Sequence, residues 1–269
     1  MKSIYAHTPW LRQSEFLPYL VENRINPELY LSPEPFEGIT PADLKELRQT
    51  LEDNGLSCSM HAPFNGMDPG STDRKTVELT NLRVSQTLRL AEQLNPKVIV
   101  FHTGYHRKLT CRKLERWMEV SISFWRDWLP HIKNRQSIVA LENIFEQEPS
   151  IIRNIIDGLN DPMIRHCFDI GHFNICGEVS LEEWFSELGS CCVECHIHDN
   201  KGKYDSHLPV GEGTVDFKLL QKMLDSYAPD SIWTLEAHRL EKLKRSHTVL
   251  KSMIQNLELE SGINKTMLL

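Results

Sequence analysis

Eight short apolar runs recur along the chain, and each is followed by a longer stretch of helical patterning. The runs are 2–7 (KSIYAH), 27–32 (PELYLS), 57–62 (SCSMHA), 97–103 (KVIVFHT), 137–143 (SIVALEN), 165–170 (RHCFDI), 193–199 (VECHIHD) and 231–237 (SIWTLEA). They are short and mostly apolar, as strands covered on both faces of a parallel sheet should be. Helices are predicted near 11–23, 41–54, 72–94, 111–134, 148–159, 180–189, 216–227 and 240–258. In 72–94, Leu79, Leu82, Leu90 and Leu94 share one side, Val84 and Ala91 widen it, and Ser71 or Thr72 is placed to cap its start. Asn54-Gly55 stands where the helix of 41–54 needs a C-cap. Eight β units alternating with eight α units predict the α/β class and a (β/α)8 TIM barrel, with residues 1–269 as a single domain. A doubly wound open sheet is the competing arrangement.

Composition narrows the function classes. With 40% hydrophobic and 25% charged residues the chain is ordinary globular protein. No apolar run reaches the roughly 20 residues of a membrane span, and "MKSIYAHTPW" has no signal-peptide core. Seven cysteines, an odd number scattered through apolar segments, favour reduced thiols and a cytoplasmic setting. Cys192 and Cys195 form a lone C-x-x-C that reads as core packing. The net charge of −7 argues against a dedicated nucleic-acid binder.

Twelve histidines remain to be explained, and a barrel predicts where to look, at the C-terminal ends of its strands. His61, His102, Glu142, Asp169, His196 and Glu236 close the third to eighth strands in turn, and His7 closes the first. His172 follows Asp169 by three residues, and Asp205 and His207 lie in the loop after the seventh strand. A single histidine at a strand end is commonly just a satisfied polar group, but acids or imidazoles at six consecutive ends are not explained that way. So many carboxylates in a partly dry pocket repel one another unless a cation is present. Imidazole mixed with carboxylate suits Zn, Mn, Fe or Co, whereas an all-oxygen set suits Mg or Ca. Gly211 and Gly213 let the backbone turn tightly beside this group.

With "SMHAPF", "VIVFHTGYH", "ALENI", "FDIGH", "HIHDN", "HLPVGEG" and "LEAH", the whole chain resembles the xylose-isomerase-like TIM barrels. That superfamily includes sugar isomerases and epimerases and the endonuclease IV-type AP endonucleases (family 2). In the endonuclease branch three zinc ions share nine protein ligands, and all nine positions are occupied here. The resemblance implies one ion on His61, His102 and Glu142, a second on Glu142, Asp169, His196 and Glu236, and a third on His172, Asp205 and His207. In the isomerase/epimerase branch one metal is held by Glu142, Asp169, His196 and Glu236, the two glutamates are the catalytic acid/base pair, and His172 contacts substrate. Glu148 matches a substrate-contacting glutamate of some ketose epimerases. The chain departs from the endonuclease in its DNA-handling loops: "ENIFEQEPS" replaces a Gly-rich run, "HAPFNGMDPGS" offers only Phe64 as a wedge, and the loop after the seventh strand is shorter.

Those departures favour a metal-dependent sugar or sugar-phosphate isomerase/epimerase, with a multinuclear zinc phosphoesterase of the endonuclease IV type as the alternative. Either requires divalent metal, Zn or Mn, at one to three ions per chain. The expected partner is a small-molecule sugar or sugar phosphate rather than nucleic acid or membrane, and a homo-oligomer is open. Basic clusters at Arg107-Lys108 with Arg112-Lys113, and at Lys201 with Lys203, lie on loops of the active face, where they would meet a substrate phosphate. A third, Arg239 with Lys242, Lys244 and Arg245, lies further on. His198 shares strand parity with His196 and should point into the mouth behind the ligands. Trp10, Phe64 and Phe173 are candidates for an apolar wall against a sugar face.

Overall fold

A computed structural model describes residues 2–32, 36, 38–109, 112–134 and 137–266, with side chains as far as Ile254. The strands are β1 (Ile4–Pro9), β2 (Asn26–Tyr30), β3 (Ser59–His61), β4 (Val98–His102), β5 (Ile138–Glu142), β6 (Ile164–Asp169), β7 (Cys192–Ile197) and β8 (Ile232–Leu235). Each pairs in parallel with the next, and β8 pairs with β1, so the sheet closes into a barrel. Closure rules out the open doubly wound sheet.

The helices are α1 (Gln13–Asn23), α2 (Pro41–Asp53), α3 (Arg74–Leu94), α4 (Arg112–Lys133), α5 (Ser150–Leu159), α6 (Ile170–Cys176), α7 (Leu181–Leu188), α8 (Phe217–Tyr227) and α9 (Leu240–Thr266). The sequence pattern locates all but α6, a short helix directly after β6 whose residues read as a strand end and its loop. Asp169 ends that strand and also caps the helix, accepting from the His172 backbone N–H at 2.6 Å. Cys111, the start of the fourth predicted helix, lies outside the described residues.

Two details of α3 differ from expectation. Its cap is Asp73, whose Oδ1 accepts from Thr76 N at 2.9 Å, rather than Ser71 or Thr72. Its buried face is Thr80, Val84, Thr87, Leu88, Ala91 and Leu94, while Leu82 is exposed. Thr80 and Thr87 tolerate burial because their hydroxyls donate to the carbonyls of Thr76 and Arg83, one turn back. The predicted C-cap of α2 stands at Asn54, followed by Gly55 in the left-handed region at φ +64°.

The main core fills the space between strands and helices. A smaller cluster of Tyr5, Val98, Val100, Ala140, Cys167 and Ile232 plugs the inside of the barrel. Beside it the interior turns polar, with Glu28, Ser59, Glu194, His196 and Thr234 all buried. Cys192 and Cys195 are buried thiols in the main core. Among the described residues no helix is long and apolar enough to cross a membrane.

The cap assignment is checked by substitution. Asp73→Ala should lower the midpoint of chemical denaturation, whereas Thr72→Ala should leave it nearly unchanged.

Candidate active site

Strand direction and register bring the strand-end residues to one rim. His102 sits opposite Glu142 across β4 and β5, and Asp169 opposite His196 across β6 and β7. Glu236 follows β8 by one residue and is drawn to the rim by its N–H, which donates to Ile197 O.

Glu142 occupies the middle. Its Oε2 lies 3.1 Å from His61 Nε2 and 3.4 Å from His102 Nε2, while its Oε1 lies 3.3 Å from both His196 Nδ1 and His172 Nδ1. The same carboxylate thus presents one oxygen to each of two neighbouring donor sets. His196 Nδ1 also faces Glu236 Oε2 at 3.5 Å and Asp169 Oδ2 at 3.7 Å. Donor atoms of Glu142, Asp169, His196 and Glu236 lie within 4.8 Å of one another, all four residues being buried, and the same distance holds for His61, His102 and Glu142.

The third predicted set meets at Asp205, whose Oδ2 lies 2.9 Å from His207 Nε2 and 3.3 Å from His172 Nε2, and His198 joins Asp205 and His207 with donor atoms within 4.8 Å. His172 reaches Asp205 through Nε2 at 3.3 Å while its Nδ1 turns to Glu142 and to Asn143 O. His198 stacks on His207 with ring centroids 4.1 Å apart, and its Nε2 lies 3.1 Å from both oxygens of Asp169. It fits only because Gly171 packs beneath it, where any Cβ would overlap the ring. His207 holds a left-handed backbone, φ +41°, and Lys242 of α9 clamps its loop by donating to the carbonyls of Ser206 and His207.

Asp199 organises the rest of this loop. Its Oδ2 accepts from Gly211 N and Gly213 N at 3.0 and 2.8 Å. Gly211 has φ +87°, and a Cβ on Gly213 would strike Asn200 O and Asp199 Oδ1, so both glycines are required.

These groups line or underlie a cavity of about 590 Å³. His7, His61, His102, His172, His207, Glu236 and His238 form its polar side, and Tyr30, Phe64, Met67, Tyr105, Ile144 and Phe145 its apolar side. Phe64 lies flat on His102, 4.5 Å between centroids and 6° between planes. Trp10 and Phe173 are not in this wall: Trp10 is buried in the main core, and Phe173 packs on Phe168 and Trp184. Glu148 is exposed, accepts from Ser150 Oγ at 2.8 Å and stands outside the cavity wall, as does the exposed Lys201. The buried acid next to Glu148 is Glu146, which holds the loop after β5 through Thr103 Oγ1 and the N–H groups of Ile144 and Phe145.

Besides Glu146 and Asp199, two further buried acids escape sequence reading. Glu28 of β2 accepts from His196 Nε2 at 2.9 Å, and Glu194 of β7 accepts from Ser59 Oγ at 3.1 Å and Thr234 Oγ1 at 2.5 Å. Both lie within strands rather than at strand ends. Their signal is a carboxylate inside a short apolar strand, and for Glu194 the parity it shares with His196.

Electrostatics explain why the acids tolerate one another. Burial alone would raise the Glu142 and Glu236 pKa values, yet both are held well below 4.5, Glu142 by His196 and His102, Glu236 by His207 and His196. Burial opposes protonation of His61 and His207, but Glu142 raises the first to about 9, and Glu236 with Asp205 raises the second to about 9. Burial takes His102 the other way, down to about 3. Glu142 and Glu236 are therefore ionised, and His61 and His207 carry balancing charge. A donor set of this kind suits a divalent cation, which replaces those protons. Glu236 Oε2 and His207 Nδ1 are buried without a hydrogen-bond partner, which fits the same reading.

A model of the xylose isomerase-like TIM barrel family matches residues 28–253, and the chain belongs to that family. The Methanocaldococcus jannaschii protein MJ1311 is 23% identical over 224 residues, 81% of this chain and 76% of the relative. Among solved structures, a D-tagatose 3-epimerase-like protein superposes with a TM-score of 0.82 at 21% identity, covering 97% of this chain and 100% of the other. The TTHB071 protein of Thermus thermophilus, from crystals soaked with ZnCl2, superposes with a TM-score of 0.79 at 23% identity, covering 94% and 98%.

The charge balance sets a pH dependence for metal-free protein. His61 and His207 gain affinity for protons on folding, so their stabilisation is complete below the unfolded value of 6.5 and is lost as pH rises through about 9. Chelator-treated protein should melt at progressively lower temperature from pH 6.5 to 9, while affinity for added zinc should rise over the same window. A melting temperature that climbs over that window would overturn the proposed charge state.

Proposed function

We propose that this barrel is a divalent-metal-dependent isomerase or epimerase of a small sugar or sugar phosphate. The observation that carries the reading is the buried group of Glu142, Asp169, His196 and Glu236 beneath a cavity of about 590 Å³, a small-molecule size. The similarity to a D-tagatose 3-epimerase-like protein, though it shows only the fold, supports the same substrate class. Those four residues would hold the cation, which when bound supplies Lewis-acid polarisation of the substrate carbonyl.

The chain's own groups do the rest. Glu236 is ionised and lines the cavity, so it accepts the proton from the carbon beside the carbonyl. Glu142, the second carboxylate of the pair, is ionised at rest, so it takes up a proton from a substrate hydroxyl or solvent and delivers it to the adjacent position or to the opposite face, while Glu236 releases its proton to solvent to close the cycle. His172 lines the cavity between Glu142 and Asp205, where it donates to a substrate hydroxyl. Phe64 and Tyr30 stack as an apolar wall, 5.9 Å between centroids, on which a sugar's C–H face packs.

A second reading has its own observation. The donor sets His61–His102–Glu142 and His198–Asp205–His207 flank the four-residue group, which would suit two or three zinc ions and a hydrolytic phosphoesterase.

Proton exchange separates the two. With manganese- or cobalt-loaded protein in D2O, ketopentoses, ketohexoses and their phosphates should include one that loses the NMR signal of the proton beside its carbonyl. Glu236→Gln should retain binding of that sugar and reduce exchange by about 10²–10⁴-fold. Near-normal exchange in the variant removes the acid/base assignment. Exchange with no sugar, together with two or three tightly bound zinc ions and phosphate-ester hydrolysis, replaces the isomerase reading by the second.

A further inference from the structure

Glu28 is a buried charge that the proposed chemistry does not use. It sits within β2, opposite His7 in the strand register, and is 0% exposed. Barrel interiors place branched apolar residues at such positions, and an ionised carboxylate there is costly without a partner. The partner is His196. Its Nε2–H donates to Glu28 Oε1 at 2.9 Å, and its other nitrogen, Nδ1, faces Glu142 Oε1 at 3.3 Å, Glu236 Oε2 at 3.5 Å and Asp169 Oδ2 at 3.7 Å.

An imidazole presents a lone pair on one nitrogen only when its proton stays on the other. A carboxylate behind a ligating histidine fixes that choice, orients the ring and raises its basicity. We propose that Glu28 is the positioning residue of this centre, keeping the proton on His196 Nε2 and aiming Nδ1 at the space between Glu142, Asp169 and Glu236. This rests on the reading above, that those four residues hold a divalent cation.

The surroundings of Glu28 argue against its being a ligand itself. Glu28, Glu194 and His196 do bring donor atoms within 4.8 Å. However, Glu28 meets His196 at Nε2, the nitrogen opposite the Nδ1 that Glu142, Asp169 and Glu236 face. Two hydroxyl donors hold one oxygen of Glu194. Glu28 Oε1 is already engaged by the His196 N–H, which turns it away from the space between the rim carboxylates.

The test uses the full chain with Glu28→Ala and Glu28→Gln. Zinc affinity is read by competition with a chromophoric chelator. The His196 Nε2–H proton is read by NMR of histidine-15N protein, with and without zinc, and assigned with a His196→Gln sample. Loss of Glu28 should weaken zinc binding about 10–100-fold and remove the downfield Nε2–H signal. Glu28→Gln, whose amide oxygen accepts the same bond without the charge, should keep the signal, moved upfield, and recover part of the affinity. A Glu28 that matters only to folding would lower the melting temperature in both variants at unchanged zinc affinity, which overturns the proposal. If Glu28→Ala does not fold, Glu28→Gln decides alone: unchanged affinity and an unmoved signal overturn it. A wild-type protein without the signal but with tight zinc refutes the positioning role and leaves the metal reading standing. A wild-type protein with the signal but no zinc uptake refutes the metal reading, and the ligand-aiming role of Glu28 with it.

Discussion

Crowding of like charge in a dry space governs this structure. Glu28, Glu142, Asp169 and Glu236 all lie in or beneath the barrel mouth, each less than a tenth exposed. Two unit charges about 4 Å apart interact by roughly 4 kcal/mol at an effective dielectric of about 20. A whole domain is stable by only about 5–15 kcal/mol, so a few uncompensated pairs would unfold it. The imidazoles of His61, His172, His196 and His207 supply the compensation in the metal-free chain, as their raised proton affinity shows. A site that must gather protons to balance its acids is also one that a divalent cation fits.

The rest of the rim serves that balance. Glu28 holds one face of His196 and leaves the other to the rim carboxylates. Asp169 caps α6 with the same side chain that faces His196 and His198, so helix start and site are one piece of structure. Lys242 and Asp199 fasten the loop that carries Asp205 and His207, which leaves little freedom where the cavity is built. Rigid support of this kind is what a chemistry dependent on fractions of an ångström requires.

The barrel is legible because its strands are covered on both faces and its helices alternate with them, a pattern written at every repeat. Sequence and structure part where one side chain serves two purposes. Leu82 reads as inward because leucine is apolar, yet the face that packs contains Thr80 and Thr87, whose hydroxyls are satisfied within their own helix. The start of α6 is hidden because Asp169 reads as the end of a strand, and that is also true.

What the sequence by itself determined was the set of strand-end acids and imidazoles, since a parallel barrel sends every strand end to the same rim. It could not determine which nitrogen of each ring faces which carboxylate, or which residues stand behind the first ring of ligands. His198 joining Asp205 and His207, Glu148 pointing to solvent while Glu146 is buried, and Glu28 reaching across the barrel to His196 are contacts between residues far apart in the chain or rotations within one loop. Local pattern carries no information about them. They follow from strand register, barrel closure and the packing that fixes each rotamer, and only the tertiary structure decides those.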